Sequence, residues 1–341
     1  MSSSALPALR EPLQLRRAVL DFRLSLAPMA GLGHVAYREV LARFGGYAFM
    51  VTEMCNARAV PAESRHHSPV FRWRDEEAPR LVCQIFGNEP DVMARAARRI
   101  EAEGFLGVDI NMGCSVAAIC KKGYGAALLK DPDRAETVVR AVRQAVSCPV
   151  MVKYRSGWEN SPDLAVTLAR RFEDAGADLL TFHPRVAPDR RSRPPRPEHL
   201  RAVVRAVSIP VFGNGNVFSA GDCRRMLEET GCAGVAIGRM GIARPWLFAE
   251  LTSGLIPGPD VFLHTALSMI ESIWRHFDAA RAIRMYKKYA IYLAANFVYG
   301  HALWPELVRG RTREEMEQNA RRVLEKRPQV AATPNSFLFT A

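Results

Sequence analysis

The sequence predicts an α/β fold: a (β/α)8, TIM-type barrel followed by a smaller all-helical domain. Three observations carry that prediction. Short apolar runs alternate with helix-patterned segments between Leu24 and Ile237, and such alternation requires parallel strands joined by helical crossovers. The runs number eight, the number that closes a barrel; a doubly wound open sheet is the alternative with the same alternation. After Pro259 the strand signals cease. From His264 to Arg327 apolar residues recur at helical spacing, as in Leu267, Ile270, Ile273, Ile283, Tyr286, Ala290 and Leu293.

Taken in order, residues 1–20 read as a flexible arm. The first strand lies in 24–30, punctuated by Pro28 and Gly31, and a helix is expected over 35–44. Aromatic and β-branched residues mark a second strand at 47–52, and LVCQIF at 81–86 is the third, ended by Gly87. Asn88 is expected to cap the next helix, with Pro90 in its first turn, and Gly104 stops it. The fourth strand, 107–110, runs into Cys114. Asp131 caps a helix reaching about Val146, and 149–154 is the fifth strand. Ser161-Pro162 opens a helix that ends near Gly176, followed by the sixth strand at 178–183. A basic, proline-rich loop spans 184–197, a helix 198–206 and the seventh strand 209–212. Ser219 caps a helix ending at Gly231, and AGVAI at 233–237 is the eighth strand. The domains expected are an arm (1–20), a barrel (21–255), a helical domain (260–327) and a loose tail (328–341).

Composition narrows the function. No apolar run is long enough to span a membrane. The first twenty residues lack the apolar core of a secretory signal, and Glu11 with two prolines interrupts the helix a transit peptide would need. The seven cysteines are scattered and no pair has C-x-x-C spacing. That usage fits a reduced, cytoplasmic protein, not a disulfide scaffold or a zinc site. A formal charge of +12 favours a polyanionic partner, nucleic acid before membrane, unless arginine merely decorates solvated faces. Arg275, Arg281, Arg284, Lys287, Lys288, Arg309, Arg311 and Arg313 concentrate that charge in the helical domain. No protein partner is indicated, and a monomer is expected.

In such a barrel the chemistry sits where strands end. Those ends carry Pro28, Met29, Ala30, Gln84, Asn111, Cys114, Lys153, Arg155, His183, Arg185, Gly213 to Asn216, Gly238 and Arg239. Taken singly, Lys153 reads equally as a snorkelling lysine and His183 as a core histidine; together the residues form a polar ring. The glycine-rich ends of strands seven and eight suit a phosphate. No G-x-G-x-x-G turn joins a strand to a helix, so a Rossmann-held dinucleotide is not indicated. FMN fits better: phosphate at strands seven and eight, ring across the Pro28–Ala30 backbone, Lys153 by the pyrimidine end and Gln84 at a ring edge.

Read together, APMAG (27–31), TEM (52–54), QIFG (84–87), DINMGC (109–114), GYGAALL (123–129), VKYRSGW (152–158), HPR (183–185), GNGN (213–216) and IGR with PW at 245–246 resemble the tRNA-dihydrouridine synthases, most closely their bacterial B-type branch. The resemblance covers about residues 24–300. It implies FMN held by Pro28, Met29, Ala30, Gln84, Lys153, His183, Asn214, Gly215, Asn216, Gly238 and Arg239. It implies Cys114 as general acid, Asn111 beside the target base, and tRNA contacts from the helical domain, with Arg185, Arg284 and Lys287 on the substrate side. The implied reaction passes hydride from reduced FMN to carbon 6 of uracil and a proton to carbon 5, with NADPH or NADH as transient reductant. A thiol of ordinary pKa, about 8.5, holds its proton at pH 7 and can serve as that acid. Ser115, Ala117, Ala118, Pro184 and Lys287-Lys288 depart from the family pattern, all on the substrate side. Three other readings use the same residues: dihydrouridine formation in ribosomal RNA, FMN-dependent reduction of a small pyrimidine or enoate, and RNA binding without catalysis.

Overall fold

A computed structural model describes residues 5–187, 189 and 193–335. Eight parallel strands close into a ring: β1 (Leu24–Leu26), β2 (Phe49–Val51), β3 (Leu81–Phe86), β4 (Gly107–Met112), β5 (Val150–Arg155), β6 (Leu179–His183), β7 (Val211–Asn214) and β8 (Gly234–Ile237). Closure comes from β8 pairing with β1, Val235 opposite Leu24, and from β2 pairing with β3, Met50 opposite Leu81. An open doubly wound sheet has two free edges and is excluded by that ring. Strand limits shift by a few residues from expectation; β1 stops before Pro28, which lacks an N–H for a ladder.

Period-two alternation sends every second side chain inward. Near the strands' N-terminal ends these are Phe49, Val51, Val82, Met151, Leu179 and Phe212, a buried apolar plug. Phe49 and Phe212 stack with centroids 5.9 Å apart. Burying each such aromatic contributes about 2 kcal/mol. The plug is closed from below by Leu15 and Leu20. These belong to an antiparallel hairpin, Leu13–Leu15 with Ala18–Leu20. The flexible arm expected at 1–20 is therefore wrong over 5–20, because burial of Leu6, Leu9, Leu15 and Leu20 anchors it; residues 1–4 lie outside the described residues.

The crossover helices follow their sequence signals with one exception. Asp131 accepts the Arg134 N–H to cap Pro132–Ala145, and Ser219 accepts the Asp222 N–H to cap Ala220–Thr230. Asn88 does not cap Pro90–Ala102: its Nδ2 donates instead to the Lys122 carbonyl at 3.3 Å. Its amide ties the loop after β4 to that after β3.

The chain divides into two compact units, and the division is not the expected 21–255 and 260–327. Residues 29–46 pack with 238–335. Glu39, on helix α1 (Val35–Phe44), explains why. Its carboxylate accepts from Ser272 Oγ at 2.6 Å, lies 2.9 Å from His276 Nε2, and pairs with Arg275, all on Val261–His276. Burial opposes ionisation there, but these partners hold Glu39 down at about 2. The loose tail is also corrected over 328–335. Gln329 accepts the Val298 N–H, Ala331 donates to Asn296, and Asn335 donates to Ala295. Residues 336–341 lie outside the described residues.

Candidate active site

Strand register assembles the polar end of the barrel. Gln84 stands opposite Asp109 on β3 and β4, Asn111 opposite Lys153 on β4 and β5, and Arg155 opposite His183 on β5 and β6. Opposed residues share a face, as do residues two apart. Gln84, Asp109, Asn111, Lys153, Arg155 and His183 therefore all belong to the inner face, above the apolar plug. The sequence reading missed Asp109, which is only 3% exposed. Its Oδ1 is buried with no hydrogen-bond partner among the described residues, and its Oδ2 accepts from Gln84 Nε2 at 2.6 Å. Burial pushes the Asp109 carboxyl well above the usual carboxylate range, against the Gln84 hydrogen bond and the Lys153 charge. Burial likewise draws Lys153 below the usual lysine range, with Asp109 opposing. Among the described residues no carboxylate lies within ion-pair distance of the Lys153 ammonium.

Cys114 follows β4 in a turn built on Asn111, whose Oδ1 accepts the N–H groups of Gly113 (3.2 Å) and Cys114 (3.0 Å). The thiol is partly exposed. The Cys114 carbonyl accepts the Ala126 N–H at 2.8 Å and the Cys120 thiol at 3.5 Å. This explains Gly125 as a close approach: a Cβ there would stand 2.5 Å from the Cys114 oxygen, and φ is +61°. Ser115 to Ala118 are all exposed around the thiol.

At β7 the Asn214 side chain is not offered outward; its Nδ2 donates to the Ala236 carbonyl at 2.7 Å, bracing β7 against β8. Gly215, at φ +127°, lets His183 lie against the backbone, since a Cβ would come within 2.9 Å of the imidazole. Asn216 adopts a left-handed φ of 51°, which asparagine tolerates. Arg185 is buried and reaches Asn216 Oδ1 at 3.5 Å. It ties two strand ends together. Arg155 donates to the carbonyls of Gly113 (2.7 Å) and Val186 (3.2 Å), a support for the same rim.

The 184–197 loop is less basic than its composition. Asp189 bonds Arg196 at 2.5 Å and Arg193 at 3.0 Å. Burial opposes its ionisation, but the two guanidiniums hold its carboxyl below the ordinary range. Residues 188 and 190–192 of this loop lie outside the described residues.

In the other unit, Pro28's neighbours Met29 and Ala30 open a turn whose Ala30 carbonyl accepts from Lys288 Nζ at 2.8 Å. Gly238 precedes a short helix, Arg239–Ala243. On Ala279–Ala294, Arg284 is exposed and Lys287 partly so, and neither has a carboxylate partner among the described residues. Arg275 and Arg313, by contrast, are neutralised by Glu39, Glu271 and Glu317. No helix among the described residues is long and apolar enough to cross a membrane.

The profile of the family described as "Dihydrouridine synthase (Dus)" matches residues 25–327. The chain belongs to the dihydrouridine synthase family. It is 37% identical over 239 residues to tRNA-dihydrouridine synthase B of Pseudomonas aeruginosa, covering 70% of this chain and 71% of that one. It is 33% identical over 330 residues to a probable tRNA-dihydrouridine synthase of Mycobacterium tuberculosis, covering 91% and 83%. A likeness in fold alone links it to morphinone reductase, at TM-score 0.52 and 17% identity over 76% of this chain and 94% of that one. The old yellow enzyme from Trypanosoma cruzi is similar in the same sense, at TM-score 0.52 and 14% identity over 71% and 91%. Family membership agrees with the resemblance read from the motifs, including the B-type relatives.

Proposed function

We propose that the chain is a flavin-dependent tRNA-dihydrouridine synthase that reduces the carbon 5–carbon 6 bond of a uridine in tRNA. One observation carries the reading: in a member of this family, Cys114 stands in a turn fixed to Asn111, directly across the strand ladder from Lys153. The residues present fit a flavin. Lys153 is a cation drawn into the barrel without an ion-pair partner among the described residues, which suits an electron-rich ring edge. Gly215 and Asn216 both have positive φ after β7, a backbone conformation that suits an anion-binding loop. FMN, when bound, supplies hydride for carbon 6 of the uracil and is recharged by NADPH. Lys153, His183, Gly215, Asn216 and Pro28 would hold it; Gln84 and Asn214, whose amides are bonded to Asp109, Asn111 and the Ala236 carbonyl, and Met29, Ala30, Gly238 and Arg239 enter on the family resemblance alone. Cys114 holds the proton that goes to carbon 5, and Asn111 orients the base.

A uridine reaches a barrel mouth only after leaving its stack, so backbone contacts must supply affinity. Arg284 and Lys287, being unneutralised, are assigned to phosphates. Changing both to alanine should weaken tRNA binding about tenfold and lower the log–log salt slope by about 2. Affinities measured across a salt series check this; an unchanged slope removes the pair from the RNA contact. The function itself is tested by mass spectrometric mapping of dihydrouridine in RNA from a strain lacking the gene. Loss of dihydrouridine at defined tRNA positions is expected, and full retention overturns the proposal. Loss confined to ribosomal RNA would move the same chemistry to that substrate.

A further inference from the structure

Side-chain amides are polar at both ends, so a row of them transmits direction. Here the row begins at a carboxylate and ends at the thiol's own backbone. Asp109 Oδ2 accepts from Gln84 Nε2 at 2.6 Å. Gln84 Oε1 then faces Asn111 and accepts from its Nδ2 at 2.8 Å. Asn111 Oδ1 is thereby left to accept from Gly113 and Cys114. All three side chains are buried, at 3%, 1% and 7% exposure, so few other partners reach these groups.

The direction is fixed at both ends. In its ionised form Asp109 has no proton to give, so Gln84 presents its NH2 group to it. Backbone N–H groups can only donate, so Asn111 must present its oxygen. Turn either amide over and two donors or two acceptors collide in a dry interior, where an unsatisfied group costs about 1–3 kcal/mol. The Gln84 backbone is itself pinned, its N–H donating to Thr52 Oγ1 at 3.0 Å.

We infer that Asp109 is a positioning residue for the Cys114 turn, acting through Gln84 and Asn111 by fixing the polarity of the amide row. This deepens the proposed function, since it rests on Cys114 being the site thiol. It names a residue that touches neither the thiol nor the mouth, yet sets how firmly the thiol is held.

The test exploits the polarity. The amide hydrogen exchange of Gly113 and Cys114 is measured in the full chain for wild type, Asn111→Asp, and the swap Asp109→Asn with Asn111→Asp. Asn111→Asp alone sets a carboxylate against Gln84 Oε1 with Asp109 still at the far end, so exchange at Gly113 and Cys114 should quicken at least tenfold at a pH where Asp109 is ionised. In the swap the row runs backwards but every bond is restored. The carboxylate introduced at position 111 accepts from the two N–H groups and from a turned Gln84, whose oxygen accepts from the amide introduced at position 109. Exchange should return to within threefold of wild type, an interaction no additive pair would give. Asp109→Leu, which removes the acceptor, should quicken exchange like Asn111→Asp and lower kcat for dihydrouridine with little change in KM for tRNA. A swap that fails to restore protection, in a protein melting as wild type does, overturns the inference, as does wild-type exchange in Asp109→Leu. Should Asp109→Leu not fold, the swap still decides. A wild type that makes no dihydrouridine would instead sink the proposed function, leaving the exchange result to stand alone.

Discussion

Replacing Cys114 with alanine should lower dihydrouridine formation about a thousandfold while leaving the fold and flavin content intact. General acid catalysis by a placed group is worth about 10² to 10⁴, and in the proposed reaction that group supplies the proton for carbon 5. The structural cost is small, because the turn does not depend on the sulfur. It hangs from backbone N–H bonds to Asn111 and from the Cys114 carbonyl, which holds Ala126 and the Cys120 thiol. All of these survive loss of Sγ. The melting temperature should move by no more than about 3 °C, as expected for a partly exposed site. A serine should not rescue, since an alcohol is a far weaker acid than a thiol. Single-turnover assays on tRNA with pre-reduced protein isolate the step. Activity within tenfold of wild type would mean the proton comes from elsewhere, and would remove Cys114 from the chemistry.

The features that could be read from the chain were those with a one-dimensional signature. Buried parallel strands leave apolar runs such as Leu81 to Phe86, and their helices leave caps such as Asp131 and Ser219. The hairpin at 13–20 left none, because its strands are three residues each and its turn uses Arg16 at φ 50° in place of the Asn-Gly or Asp-Gly that marks such turns. Asp109 was hidden differently. Between Val108 and Ile110 it reads as one polar position in a strand. Its meaning comes from Gln84, 25 residues earlier and opposite it in the barrel. Asp189 is a third case: composition marks its loop as basic, whereas two of the arginines there are taken up by one carboxylate. Helix α1 was assigned to the barrel by sequence order, but Glu39 packs it among the C-terminal helices, a contact made across more than 230 residues of chain. Periodicity sees neighbours along the chain; it has no access to partners brought together by strand register or helix packing.

Replacing Lys153 with methionine should slow reduction of the bound flavin by the nicotinamide donor of the proposed reaction about a hundredfold and remove the fall in rate that loss of the lysine charge causes as pH rises. Removing a single charge placed where negative charge develops typically costs about 10² to 10³. Lys153 has the features of such a group: it lies on the inner face of β5, opposite Asn111, with no ion-pair partner of its own among the described residues. Methionine nearly preserves the volume and removes only the charge. The pH behaviour follows from the wild-type lysine. Burial brings it from 10.5 down to about 8, with Asp109 resisting. Below pH 8 the ammonium is present and reduction is fast; as pH rises through that value the charge is lost and the rate should fall toward that of the methionine variant. Stability should run the opposite way. A lysine whose folded pKa lies below its unfolded one costs stability while charged in both states, and that cost fades as pH rises from about 8 to 10.5. The wild type should therefore gain stability across the window in which it loses activity. In the methionine variant the lysine contribution to this gain is absent. Asp109 complicates the variant in a predictable direction: without the nearby cation its carboxyl is pushed further up and keeps its proton to higher pH than in the wild type, so its tie to Gln84 should weaken. Stopped-flow reduction across pH, with melting curves on the same samples, separates these effects. A methionine variant that keeps the wild-type rate and the wild-type pH profile would show that Lys153 supplies no charge to the site.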